Sequence, residues 1–295
     1  MKTFLERLFS TVLLLALFGG AVWWNSSYGY AILVCLFCNL TTVEWHGMLA
    51  DRRKECQRGL LLATGLAYPW LLAAVASLKV EFLTFLFPGL FLAAFVLLSF
   101  FAAMRGNVEG DRPLRSIGTT LLAFVYPVWL FSFSLFFLFQ HERMILLLIW
   151  IVLATKMTDI FAYVSGVMMG GRFFGDRRFS PKISPKKTWE GIAGSLILST
   201  AAAYFLYLGL TDAGSFWGWS FNWFVPTMVV LFILAVAGDL AGSLIKRSLQ
   251  VKDSGSLLPG IGGVFDLIDS PAFTVAGFSA MLGIVCLYDA VRLGW

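Results

Sequence analysis

The chain has 295 residues, of which 59% are hydrophobic and only 13% charged, and its mean hydropathy is +0.82. A soluble domain carries about 25% charged residues, so a chain this apolar cannot cover a water-facing surface. The composition excludes a disordered protein, a disulfide scaffold and a soluble enzyme on a single anchor. It leaves an all-α, polytopic integral membrane protein.

A helix needs about 20 mostly apolar residues to span a bilayer. Nine stretches qualify: 8–24, 28–50, 59–78, 82–104, 116–139, 144–169, 190–210, 224–245 and 271–291. The first follows Lys2 and Arg7 and contains Gly19-Gly20-Ala21, which also suits a signal peptide. The Val22-Trp23-Trp24 that follows fits an interfacial belt, so a retained helix is expected. Cys35 and Cys38 form a C-x-x-C inside an apolar run and read as buried packing residues rather than a redox or metal motif.

The net charge is +5, and in a membrane protein its distribution among loops matters most. With nine spans, 18 of the 22 basic residues fall on one side. They are Lys2, Arg7, Arg52, Arg53, Lys54, Arg58, Arg105, Arg112, Arg115, Arg172, Arg177, Arg178, Lys182, Lys186, Lys187, Lys246, Arg247 and Lys252. Lys79, Arg143 and Arg292 fall on the other side, and Lys156 lies within a span. The positive-inside rule then puts the N-terminus and the basic loops in the cytoplasm. Residues 1–140 read as a helical region for packing, lipid access or dimerisation. Residues 141–295 read as the catalytic region, with long loops at 170–189 and 246–270.

Three segments carry the chemistry. In the sixth span Lys156, Asp159 and Tyr163 share one helical face. They read either as a structural ion pair or as the wall of a polar cavity, since a charge at the bilayer centre is costly. The second segment is Ser184-Pro185-Lys186-Lys187-Thr188-Trp189-Glu190-Gly191. Its lysines and the following helix N-terminus favour an anion such as a phosphate. Its bland reading is a topology signal that touches lipid headgroups.

The third segment is the most informative. Asp239, Ser243 and Lys246 are spaced along one helical face, and Asp266 and Asp269 stand three residues apart. A loop with Gly260, Gly262 and Gly263 lies between the two groups. Carboxylates without a matching His or Cys set suggest a hard cation, Mg²⁺ first, bound through one or two carboxylates and substrate phosphates. Lys246, Arg247 and Lys252 add phosphate-seeking cations. The combination suits phosphoryl or nucleotidyl transfer; the competing reading is a salt-bridge network in a transporter. The chain has two histidines, His46 and His141. Both lie far in sequence from this cluster, so an imidazole base is not expected.

Ser243, then Lys246-Arg247, Lys252-Asp253, Pro259-Gly260, Gly262-Gly263, Asp266 and Asp269 closely resembles the signature of the CDP-diacylglycerol synthases, or phosphatidate cytidylyltransferases. Asp159, Ala162-Tyr163 and Ser184 to Gly191 resemble that family's other common run. The resemblance is specific over about residues 156–270; the N-terminal half is similar in hydropathy alone. Ile261 and Leu267 stand where the family often has His and Arg.

The resemblance implies that CTP and phosphatidate give CDP-diacylglycerol and pyrophosphate. It also implies Mg²⁺, a second cation such as K⁺, an inner-membrane location, a homodimer and no nucleic-acid partner. On this reading Asp239 and Asp266 hold Mg²⁺ and Asp269 supports them. Lys246, Arg247 and Lys252 bind phosphates, and Asp253 orders the loop or contacts the nucleotide. Gly260, Gly262 and Gly263 admit the ligand, and Lys186, Lys187 and Thr188 bind phosphatidate or pyrophosphate, anchored by Glu190. Ser184, Ser243, Lys156, Asp159 and Tyr163 complete the substrate-binding set. The alternatives are a CTP-dependent polyprenol or phytol kinase, an ether-lipid cytidylyltransferase, and a lipid transporter or scramblase.

Overall fold

The computed structural model describes residues 2–24, 26–50, 55–106, 108–139, 142–173, 175, 178–210, 221–260 and 262–293. Nine helices are present among them: α1 (Lys2–Trp24), α2 (Ser27–Met48), α3 (Arg58–Ser77), α4 (Glu81–Met104), α5 (Arg112–Phe139), α6 (Glu142–Met169), α7 (Trp189–Leu210), α8 (Phe221–Ser248) and α9 (Phe265–Leu293). Eight of them are long and apolar enough to cross a membrane, whereas α1 carries a shorter apolar stretch, Val12–Ala21. The all-α membrane architecture expected from hydropathy is therefore present.

Differences from the expectation include two helix starts and one loop. α5 starts at Arg112 rather than 116, because Pro113 suits a first turn and Arg115 pairs with Asp111 at 2.7 Å. α9 starts at Phe265 rather than 271, so Asp266 and Asp269 lie on its first two turns and the preceding loop is shorter than 246–270. The loop after α6 is not wholly irregular. It contains an antiparallel hairpin of β1 (Arg178–Ser180) and β2 (Ser184–Thr188), for which its Ser-Pro steps gave no periodic signal.

The chain divides into two units, one formed by Met1–Glu142 with Ser248–Ile268, the other by Arg143–Arg247 with Asp269–Trp295. In the first unit, buried Tyr68 donates to or accepts from Ser132 at 3.0 Å, and its ring meets Phe91 and Phe124. α5 is interrupted by a π turn at Val125–Trp129. Pro127 lies in that turn and lacks the amide hydrogen a regular helix needs. Trp45 and Tyr126 both pack edge-on against Phe265, which ties α2 and α5 to the start of α9.

In the second unit, Trp150 donates its indole N–H to the Ala203 carbonyl at 2.9 Å, and Thr155 donates to Thr274 at 2.9 Å. Glycines let its helices approach closely, as expected where apolar lipid gives no hydrophobic drive to association. A Cβ on Gly191 would stand 2.8 Å from the Ala162 carbonyl, and one on Gly238 would stand 2.7 Å from the Asp269 carbonyl.

Candidate active site

The second unit gathers the charged residues of α6, β2, α8 and α9. Lys187 on β2 forms an ion pair with Asp239 on α8. Lys156 and Asp159, one helical turn apart on α6, are paired at 3.7 Å. Asp269 is only 5% exposed, and the charges of Lys156, Asp239, Lys246 and Asp159 all act on it. Three carboxylates thus stand in one electrostatic cluster with Lys156, Lys187 and Lys246. Asp239, Ser243 and Lys246 are half-buried on a continuous α8, so their helical spacing puts them on one face.

Lysines neutralise carboxylates that would otherwise be expensive in an apolar surround. Three lysines against three carboxylates leave the cluster close to neutral, so a phosphate chain bound there would call for a cation to balance its charge. Among the described residues, no three His, Cys, Asp or Glu side chains group to hold a metal by themselves. Mg²⁺ rarely requires such a cage; it takes one or two carboxylates and completes its shell with water and substrate phosphates. Asp239 and Asp269, oxygen donors beside lysines, have the donor chemistry that such a cation takes.

The hairpin is held by its own neighbours. Thr188 is the N-cap of α7, its hydroxyl accepting the Gly191 amide hydrogen at 3.0 Å. Glu190 is 3% exposed and accepts the amide hydrogens of Gly171 and Phe173 at 3.1 and 3.3 Å. It therefore ties down the loop that leaves α6. Arg247 donates to the Ile183 carbonyl at 3.2 Å, fastening the hairpin turn to the end of α8. Lys186 is exposed on β2 and Ser184 is half-buried at its start. Tyr163 is 74% exposed on α6 and stands apart from the buried side of that helix.

In the first unit, the loop between α8 and α9 has a definite shape. Leu258 and Gly262 exchange two backbone hydrogen bonds of 3.0 Å, closing a tight turn. Gly260 and Gly262 have φ of +76° and +119°, conformations that strain any residue with a Cβ. Conformation thus supplies a reason for these glycines besides ligand approach. Asp266 Oδ2 accepts from the Ser254 amide at 3.1 Å, the Ser254 hydroxyl at 2.8 Å and the Gly263 amide at 3.0 Å. Lys252 and Asp253 are exposed on the same loop. Leu267 is half-buried on α9; Ile261, like Arg52, Arg53, Lys54, His141 and Arg177, lies outside the described residues.

One residue of this loop's environment was not singled out from the sequence. Glu44, on α2, is 5% exposed. Its carboxylate accepts from the Val264 amide at 2.7 Å and the Phe265 amide at 2.8 Å, and lies 3.3 Å from the Ser254 hydroxyl. Its presence in spans otherwise nearly free of ionisable groups was the available signal. Of the two histidines, His46 lies beside Arg58, whose guanidinium is 3.0 Å from the ring Nδ1 and from the His46 carbonyl oxygen.

Comparison with known proteins decides the family. A family model described as "Cytidylyltransferase family" matches residues 5–285. The chain belongs to the cytidylyltransferase family. Among its curated relatives, a phosphatidate cytidylyltransferase of Haemophilus influenzae is 39% identical over 120 residues, 41% of each chain. One of Helicobacter pylori is 33% identical over 176 residues, 59% of this chain and 61% of the relative. One of Brucella abortus is 37% identical over 135 residues, 45% of this chain and 43% of the relative. The matches thus span roughly half the length of these relatives. The Lys187–Asp239 pair and the loop before α9 both lie within the residues that the family model matches.

Proposed function

We propose that the protein transfers a cytidylyl group from CTP to phosphatidate, producing CDP-diacylglycerol and pyrophosphate. The observation that carries this reading is the family match over residues 5–285, joined by curated relatives that are named phosphatidate cytidylyltransferases. The charge cluster of the second unit supports it, because carboxylates interleaved with lysines suit a metal-bound triphosphate.

A phosphate oxygen of phosphatidate attacks the α-phosphorus of CTP. The new P–O bond forms as the α–β phosphoanhydride bond breaks, and pyrophosphate leaves with the bonding electrons. The phosphate nucleophile has a second pKa near 6 and is already ionised at neutral pH, so no strong base is required. Asp239 and Asp269 would hold Mg²⁺, which would supply neutralisation of phosphate charge. Lys246 and Lys187 draw the phosphates into the cluster, and Lys156 keeps Asp159 and Asp269 from repelling them. Asp266, whose Oδ2 already accepts three hydrogen bonds, is assigned to ordering the loop before α9 rather than to the metal. Lys252, exposed on that loop, is assigned to the phosphates.

The basic loops are assigned to the cytoplasmic side of the inner membrane, where CTP is available; the distribution of lysine and arginine supports this side. The test is to incubate purified protein in phosphatidate-containing micelles with CTP and Mg²⁺, then assay pyrophosphate and extract lipids. The expected result is equal amounts of pyrophosphate and CDP-diacylglycerol, both abolished by EDTA. Folded protein that makes neither product would contradict the proposal.

A further inference from the structure

We propose that Glu44 is a positioning residue for the reaction, setting the loop before α9 through Ser254 and the first amides of that helix. The inference rests on the cytidylyltransferase reading and adds to it a residue from the N-terminal half of the chain.

The geometry begins with the start of α9, where amide hydrogens have no partner within the helix. Glu44 accepts two of them, from Val264 and Phe265, with one carboxylate oxygen each. Two charge-assisted bonds at 2.7 and 2.8 Å fix both the position and the roll of the helix start. The favourable end of the helix dipole offsets part of the cost of a buried carboxylate. Ser254 then bridges Glu44 to Asp266: its Oγ is 3.3 Å from the former and 2.8 Å from the latter. The backbone shape is matched to the carboxylate. A Cβ on Gly255 would stand 2.8 Å from Glu44 Oε1, while one on Gly263 would meet Ser254 Oγ first and then Glu44 Oε2 at 2.7 Å. Glu44 thus gives a steric reason for Gly255, and Ser254 with Glu44 gives one for Gly263.

A residue 220 positions away in sequence thus holds the amide of Val264. Glutamine in its place presents an NH₂ to an amide hydrogen, donor against donor, and can satisfy only one of the two helix amides. Misplacing reacting groups by about 1 Å costs about 100-fold in rate. A displacement of that size is expected when the grip is lost.

The experiment compares wild type, Glu44→Gln, Ser254→Ala and the double variant. It reads kcat, KM for CTP and phosphatidate, thermal midpoint, and the rate of tryptic cleavage after exposed Lys252. The expected result is a kcat about 100-fold lower in Glu44→Gln at little-changed KM, with partial rescue in Glu44→Asp. Cleavage after Lys252 should be faster, and the double variant no worse than the poorer single one. Wild-type kcat in a folded Glu44→Gln protein overturns the proposal. Should that variant fail to fold, Ser254→Ala decides: reduced kcat at an unchanged thermal midpoint supports the relay, and full kcat overturns it. An inactive wild type would count against cytidylyl transfer, whereas the cleavage rates would still report whether Glu44 holds the loop.

Discussion

The Lys187–Asp239 pair makes a separable prediction at the level of single side chains. Breaking a poorly solvated pair leaves one charge uncompensated and costs about 3–5 kcal/mol when the pair is fully buried. Lys187→Met and Asp239→Asn should each lower the thermal midpoint and turnover. The exchanged pair, Lys187→Asp with Asp239→Lys, restores charge balance but puts an ammonium where the proposed metal ligand stood. Its thermal midpoint should recover while its turnover stays at least 100-fold down, roughly the loss of one strong electrostatic contact to the transition state. Recovery of turnover with the exchange would remove Asp239 from the metal site. Cys56 makes a second prediction. Burial pushes its thiol above the ordinary value, outweighing a hydrogen bond with Thr120 and the charge of Arg58, which act the other way. Little thiolate exists at neutral pH, so maleimide should not modify Cys56 in the folded protein at pH 7. Modification should appear on denaturation; rapid modification of the folded protein would show that the thiol is accessible and ionised.

Helices and loops show where sequence reasoning succeeds. Apolar length placed the spans well because each helix must satisfy its own backbone in lipid. It placed the start of α9 six residues late, since Asp266 and Asp269 look like loop residues by hydropathy. The missing information was Glu44, which caps that helix from another part of the chain and leaves no local pattern. Within the second unit, the i, i+4, i+7 spacing made Asp239, Ser243 and Lys246 legible as one face, while the pairing of Lys187 with Asp239 depends on a hairpin that spacing does not specify. Tyr163 shared the helical spacing of Lys156 and Asp159 but is mostly exposed; a period of 3.6 assigns a direction, not a partner. Close helix contact gives a prediction at this scale. In Gly238→Ala, the new methyl would press on the Asp269 carbonyl at 2.7 Å and on Ser270. Overpacking of this kind costs about 1–3 kcal/mol. Both thermal midpoint and turnover should fall, because the strained contact joins the helices that carry Asp239 and Asp269. Unchanged turnover would show that their spacing is not critical.

Across the whole chain, the clustering of Lys and Arg on alternate loops predicts one membrane orientation. Single cysteines at exposed Ser256 and at Lys79, introduced after replacement of the native cysteines, test it with an impermeant thiol reagent. In sealed inside-out vesicles the reagent should label position 256 and spare position 79; the reverse pattern would place the basic loops outside. The central claim concerns which bond of CTP is broken. Parallel reactions with CTP labelled at the α- or the γ-phosphate, each with phosphatidate and Mg²⁺, test it most directly. Cytidylyl transfer predicts that α-label enters the lipid while γ-label leaves as pyrophosphate. Label from the γ-phosphate in the lipid, with none from the α-phosphate, would contradict the account and identify a kinase.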